Sequence, residues 1–183
     1  VVGNGPLTEE EIYEINNYGI IATMNSFKFN KDITNITHFF SRQNGQACVG
    51  FHGWNKNANE FVSQISTTDN ILLVCPTDKE CYKNINKIKE KYNNPDINVI
   101  SSGSEPWNES SYVFNGTKYK HNRSPSTGII SINYMLEKYP TSEIHIYGMN
   151  SIVSGYHDMK AEKKMINECD RCILHKTYKN TYK

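Results

Sequence analysis

The sequence predicts an α/β fold built on a mostly parallel sheet with helices over both faces, and three observations predict it. Short apolar, strand-like runs alternate with helical stretches along the chain. One run, ILLVCP from Ile71 to Pro76, is continuously apolar, as a parallel strand buried on both sides requires. The chain also opens on VVGNGPLTEEE, which reads as a strand end, a glycine turn and an acidic helix start.

Taken in order, Val1 and Val2 are a β-branched pair of strand character, and Gly3 and Gly5 allow a tight turn with φ above zero. Thr8 followed by Glu9, Glu10 and Glu11 predicts a capped helix running to about Asn17. IIATMNSF (Ile20 to Phe27) reads as a second strand and ITHFF (Ile36 to Phe40) as a third. A helix is predicted from Asn57 to Ile65, a strand from Ile71 to Pro76, an amphipathic helix from Thr77 to Tyr92 and a strand from Ile97 to Gly103. Ser104 to Pro125 breaks the alternation. Its scattered Trp107, Tyr112, Phe114, Tyr119 and His121 suit either a surface excursion with aromatic anchors or a loop covering a substrate. STGIISINYMLEKYP predicts a helix that stops before Pro140, and EIHIYGMN a strand ending near Gly148, Met149 and Asn150. A last helix is expected from about Asp158 toward His175.

At 183 residues the chain suits one domain, 1–183. Lys and Arg number 20 against 19 acids, for a formal charge of +1, which leaves no general electrostatic footprint for nucleic acid or an anionic membrane. No apolar run reaches the roughly 20 residues of a spanning helix. The first residues already read as a strand, so a targeting or anchoring segment could precede them. Cys48, Cys75, Cys81, Cys169 and Cys172 are odd in number and do not form a disulfide framework; Cys169 and Cys172 fall in a helical pattern and read as ordinary helix residues rather than a zinc or redox pair. Sequons at Asn35, Asn108, Asn115 and Asn122 in so Asn-rich a chain do not place it in the secretory pathway.

A P-loop, an HExxH and a GxSxG are all missing, and GNGP lacks the third glycine of a dinucleotide fingerprint. No Asp-x-Asp occurs, so paired carboxylates that clamp a nucleotide diphosphate through a divalent ion are missing too. Three polar elements stand at predicted strand ends or helix starts: Gly3-Asn4-Gly5, Asn25-Ser26, and Ser124-Pro125-Ser126-Thr127-Gly128. Helix N-terminal N–H groups, hydroxyls and a small glycine suit one phosphate, and Asn side chains suit a ribose or pyrimidine edge. Each alone is equally a turn residue or an N-cap. The fourth element is GYHDMKAE, where His157 at a helix start is placed as a general base and Glu162 follows four intervening residues later.

In their order along the chain these elements resemble the sialyltransferases of glycosyltransferase family 29 and, more distantly, the bacterial family 42. VVGNGP with IATMNSF resembles the large sialyl motif, SPSTGIISINYMLEKYPTSEIHIYGMN the small motif, and HDMKAE the very small motif. The resemblance covers roughly Val1 to Phe40 and Arg123 to Glu162. It implies a metal-independent inverting transferase that moves sialic acid from CMP-sialic acid to a glycan hydroxyl, on a Rossmann-like variant of the glycosyltransferase A fold. Asn4, Gly5 and Asn25 would then hold the CMP phosphate and ribose. Ser126, Thr127 and Gly128 would contact the cytidine part. His157 would take the acceptor proton, and Glu162 would orient or support that site.

The chain departs from the family pattern in three ways. Only SIVSGY stands where a further short motif is usual, which leaves Tyr156 to stand in for it, or His121 or Arg123 to assist the departing phosphate. The cysteines that link the large and small motifs of animal enzymes have no counterparts, so a viral, microbial or otherwise divergent member is implied. The chain is also shorter than a typical catalytic domain, which leaves open an acceptor side completed by a partner, or a module that binds CMP or glycan without turnover. A donor such as CMP-Kdo would use the same cradle, and a methyltransferase with GNGP as its cofactor turn is the rival outside the family.

Overall fold

The computed structural model describes residues 1–24, 32–42, 70–75, 85–90, 93, 97–101, 111–121, 123, 125–149 and 157–175. The predicted helix over 57–65 and Asn25 lie outside the described residues, and of the helix expected over 77–92 only 85–90 is described, as helix.

The fold is α/β with a mostly parallel sheet and helices. Four strands, β1 (Ala22–Met24), β2 (His38–Arg42), β3 (Asn70–Cys75) and β4 (Ile97–Ser101), pair side by side and in parallel, with Ala22 opposite His38 and Ile71 opposite Ile97. Ile71, Leu72 and Val74 of β3 are all buried, as the unbroken apolar run requires of an inner strand covered on both faces. In β4, Ile97 and Val99 are buried while Asn98 between them is exposed, the alternation of a strand covered on one face.

A hairpin follows, β5 (Ser111–Phe114) and β6 (Thr117–Lys120), joined by Asn115 and Gly116. The stretch Ser104 to Pro125, read from sequence as one irregular excursion, therefore holds an antiparallel ribbon. Asn-Gly takes positive φ at both positions (47° and 76°), the two-residue turn whose twist matches that of paired strands.

The final elements are β7 (Ile144–Ile146) and β8 (Cys172–Leu174), paired in parallel. The last helix ends at Asn167 instead of running toward His175. Cys169 and Cys172 are thus not helix neighbours: Cys169 lies in the turn and Cys172 opens β8. Cys172-Ile-Leu takes the strand because it pairs with Ile144–Ile146, a tertiary contact that local periodicity does not encode.

Three helices have defined caps. In α1 (Glu9–Asn16), Thr8 and Glu11 form a reciprocal capping box: the Glu11 N–H donates to Thr8 Oγ1 at 3.2 Å, and the Thr8 N–H donates to Glu11 Oε2 at 2.8 Å. α2 (Thr127–Lys138) is capped by Ser126 and gives way at Tyr139, just before Pro140. α3 (Met159–Asn167) is capped by Asp158, whose carboxylate accepts from the Ala161 N–H at 3.1 Å.

Val2 joins the two parts of the sheet. It bridges in parallel to Thr23 of β1 on one side and to Tyr147, just past β7, on the other. The spatial order is therefore β4-β3-β2-β1-Val2-β7-β8, and the direction in which the chain adds strands reverses at its first residues. Side-chain alternation sorts the core into two clusters. Ile15 of α1 packs with Val2, Ile21, Ile33 and Tyr147; residues of α2, α3 and the hairpin pack with Ala22, Met24, Phe40, Ile144 and Ile146.

Candidate functional site

In an open α/β sheet, the crevice outside the carboxyl ends of the strands opens where the strand order reverses, because connections leave that point in opposite directions. Here that point lies beyond Val2 and β7. The Gly3 N–H donates to Tyr147 O and the Gly5 N–H to Gly148 O, both at 2.8 Å, so the opening turn is fastened to the turn that follows β7. Neither Gly3 nor Gly5 uses the positive φ that glycine allows. The glycine at position 3 serves close approach instead: a Cβ there would stand 2.6 Å from Gly148 O. The left-handed residue of the pair is Gly148, at φ +63°.

The N-terminus of α2 closes on the same place. A Cβ on Gly128 would overlap the Met149 side chain and would lie 3.4 Å from Met24 Sδ. Gly128 therefore sits against the carboxyl ends of both β1 and β7. Asn4, Gly5, Thr127 and Gly128 are thus brought to one edge, and Met24 carries the chain toward Asn25, which lies outside the described residues. Among the described residues, Asn4 Oδ1 is shielded from solvent and has no hydrogen-bond partner, and the same holds for Thr23 Oγ1. A buried carbonyl oxygen without a donor costs about 1–3 kcal/mol, so such an atom in a crevice is matched to a donor on a ligand or water.

Ser126 takes the N-cap role, one of the two readings the sequence offered for it. Its hydroxyl accepts from the Ile129 N–H at 3.1 Å as the helix cap and donates to Glu162 Oε2 at 2.6 Å; its N–H donates to Glu162 Oε1 at 2.7 Å. The side chain is spent inside the protein. The Ile130 N–H bonds back to Ser126 O, which leaves the Thr127 and Gly128 N–H groups, among the described residues, as the helix-end donors without an acceptor.

Glu162 is 2% exposed and lies under this turn. His121, brought in at the end of β6 and 1% exposed, sets its Nε2 3.5 Å from Glu162 Oε1, an ion-pair separation rather than a closed hydrogen bond. Its Nδ1 meets the Arg123 carbonyl oxygen, which can only accept, so Nδ1 carries a proton. Burial pulls the His121 pKa down, but the nearby Glu162 carboxylate, the Arg123 carbonyl and the charge of Asp158 outweigh it and hold the group above its ordinary value. When His121 is protonated it cancels the Glu162 charge, which lessens the repulsion of an anion at the helix end above it.

His157 is half-buried at the start of the turn into α3, one residue before the capping Asp158. Sequence reasoning named His157 and Glu162 together as the catalytic pair; the Glu162 carboxylate is committed to Ser126 and His121, and its position is that of a support beneath the cradle. His121 was read only as a possible aid to the leaving group, and its pairing with a carboxylate 41 positions later left no local signal. Arg123 is exposed. A cavity of about 290 Å³ opens at the opposite, amino ends of the strands, lined by Tyr18, Ile21, Tyr139, Ile144 and His145 among others; it is remote from the helix-end donors. Comparison with family models, curated proteins and solved structures finds no match to this chain.

Proposed function

We propose that the chain is a CMP-sugar glycosyltransferase that moves sialic acid from CMP-sialic acid to a glycan hydroxyl. The observation that carries this reading is the convergence of Asn4, Gly5, Thr127 and Gly128 at the reversal of strand order, from segments that follow one another as the sialyl motifs do. The central position of Val2, with strands to either side of it, supports a Rossmann-like arrangement, of which the family's glycosyltransferase A variant is one form.

The donor's single phosphate sits at the N-terminus of α2, where the Thr127 and Gly128 N–H groups and the helix dipole favour negative charge. Asn4 holds the nucleotide from the opposite side, and Asn25, the next residue in sequence after β1, is assigned to the nucleotide by the order of the motifs. His157 removes the proton from the acceptor hydroxyl as that oxygen attacks the anomeric carbon. The bond from that carbon to the phosphate oxygen breaks, its electron pair stays on CMP, and the helix-end donors meet the charge so formed. Inversion follows from a single displacement. Residue types suited to clamping a divalent ion around a diphosphate are not required, because the leaving group is a nucleoside monophosphate.

Calorimetric titration with CMP, using AMP and UMP as controls and EDTA throughout, tests the cradle. CMP release from CMP-sialic acid in the presence of a glycan acceptor, compared with the His157→Ala variant, tests the chemistry. Selective CMP binding with release at least 100-fold slower in the variant is expected, since general-base catalysis contributes roughly 10²–10⁴-fold. Equal binding of the three nucleotides overturns the nucleotide assignment, and CMP binding with equal release by both proteins overturns the role of His157.

A further inference from the structure

On the α1 side of the sheet stands a second group of polar side chains that the transfer reaction does not use. Glu14 comes from α1, His145 from β7 and His175 from the residue after β8, and one ligand atom of each lies within 4.8 Å of the other two. His145 Nδ1 and His175 Nε2 are 2.9 Å apart. At most one proton lies between these two nitrogens, so at least one lone pair faces the gap. We propose that Glu14, His145 and His175 form a binding site for a divalent zinc-class ion, with a fourth position open to water.

The donor set selects the metal. Two imidazoles and one carboxylate suit zinc and its d-block neighbours, whereas calcium and magnesium take mostly oxygen ligands. For the two imidazoles the geometry needs little adjustment: two nitrogens about 2.0–2.1 Å from a tetrahedral ion stand about 3.3 Å apart, so the rings open by only a few tenths of an ångström from their 2.9 Å separation, and the exposed Glu14 carboxylate swings in to join them.

The surroundings hold the ligands in place. The Tyr147 ring stacks on His175 with centroids 4.0 Å apart and planes 15° from parallel. The His175 N–H donates to Ile146 O at 2.9 Å and fixes its backbone beside β7. Glu143 Oε2 lies 3.9 Å from His145 Nε2, so a carboxylate faces the ring nitrogen that points away from the gap, which leaves Nδ1 as the ligand atom. The Tyr18 hydroxyl donates to Glu14 Oε1 at 3.2 Å and reaches Tyr147 Oη at 3.3 Å. A bound ion would tie α1 to β7 and β8, the strands on one side of the Val2 joint.

The test is calorimetric titration of the whole chain, stripped with EDTA and desalted, with zinc chloride. One equivalent bound with a micromolar or tighter constant is expected, weakened at least tenfold in His175→Ala and in Glu14→Gln and unchanged in the Cys169→Ser/Cys172→Ser double variant. Glu14 is exposed on its helix, so Glu14→Gln keeps the fold even where His175→Ala does not. Zinc is also expected to raise the Tm of the wild type and not that of Glu14→Gln. Cobalt substitution should give the visible bands of a four-coordinate nitrogen and oxygen site without a thiolate charge-transfer band. No saturable binding, equal affinity in Glu14→Gln, loss of binding in the cysteine variant, or a thiolate band each overturns the assignment.

Discussion

Glu162 is a carboxylate removed from water, and three donors compensate it: the Ser126 N–H, the Ser126 hydroxyl and, at a longer range, His121. Removing it in Glu162→Ala strands those donors and leaves the buried His121 ring without the carboxylate that favours its charged form. A loss of about 3–5 kcal/mol in urea unfolding is expected. Glu162→Gln, which keeps one acceptor oxygen for Ser126, should lose less. The His121 pKa is raised in the folded protein. Its contribution is therefore complete below the unfolded value of about 6.5 and is lost as pH rises through the higher folded value. The urea midpoint of the wild type should fall over that rise, and that of His121→Gln should not follow it; parallel curves for the two proteins would remove the ion pair from the account.

At the scale of elements, the hairpin β5–β6 is the device that delivers His121. Tyr112 and Phe114 bury its inner face, and the Asn115–Gly116 turn sets its register, with Ser111 opposite Lys120. Gly116 holds φ +76°, where an L side chain is strained, while a Cβ there would meet no neighbouring atom. Gly116→Ala therefore isolates backbone strain from packing. It should cost about 1–2 kcal/mol in denaturant unfolding. An unchanged midpoint would mean that the turn relaxes to another type.

Across the whole molecule, the two parts of the sheet meet at Val1 to Gly5, which pair with β1 on one side and with Tyr147 and Gly148 on the other. The same residues carry the Asn4 side of the proposed cradle, so the joint and the site are one structure. Gly3→Ala would press a Cβ to 2.6 Å from Gly148 O, a backbone atom that cannot swing aside. The change should cost about 1–3 kcal/mol of stability. It should also weaken CMP binding, measured by calorimetry at a temperature where the variant is still folded. Lost stability with unchanged CMP affinity would separate the joint from the site.

Short-range physics made part of this protein legible in its sequence. The Thr8 and Ser126 caps, the stop before Pro140 and the apolar run of β3 depend on neighbours a few residues away, and each stands where the sequence puts it. The Asn115–Gly116 turn was equally local, and its signal was hidden by the polar and aromatic residues around it. Tertiary structure decided the rest. Val2 became the joint because parallel partners arrive from Thr23 and Tyr147; Gly3 is needed for the approach of Gly148 rather than for its own φ; Ser126 and Glu162, 36 positions apart, are brought together because α3 packs on β6 and β8. Glu14, His145 and His175 meet only because β8 takes the edge beside β7 and α1 lies over that face. Caps and periodicity act within a turn or two of chain, whereas the partners of a buried charge are set by which strands lie side by side, and strand order is a property of the packed sheet.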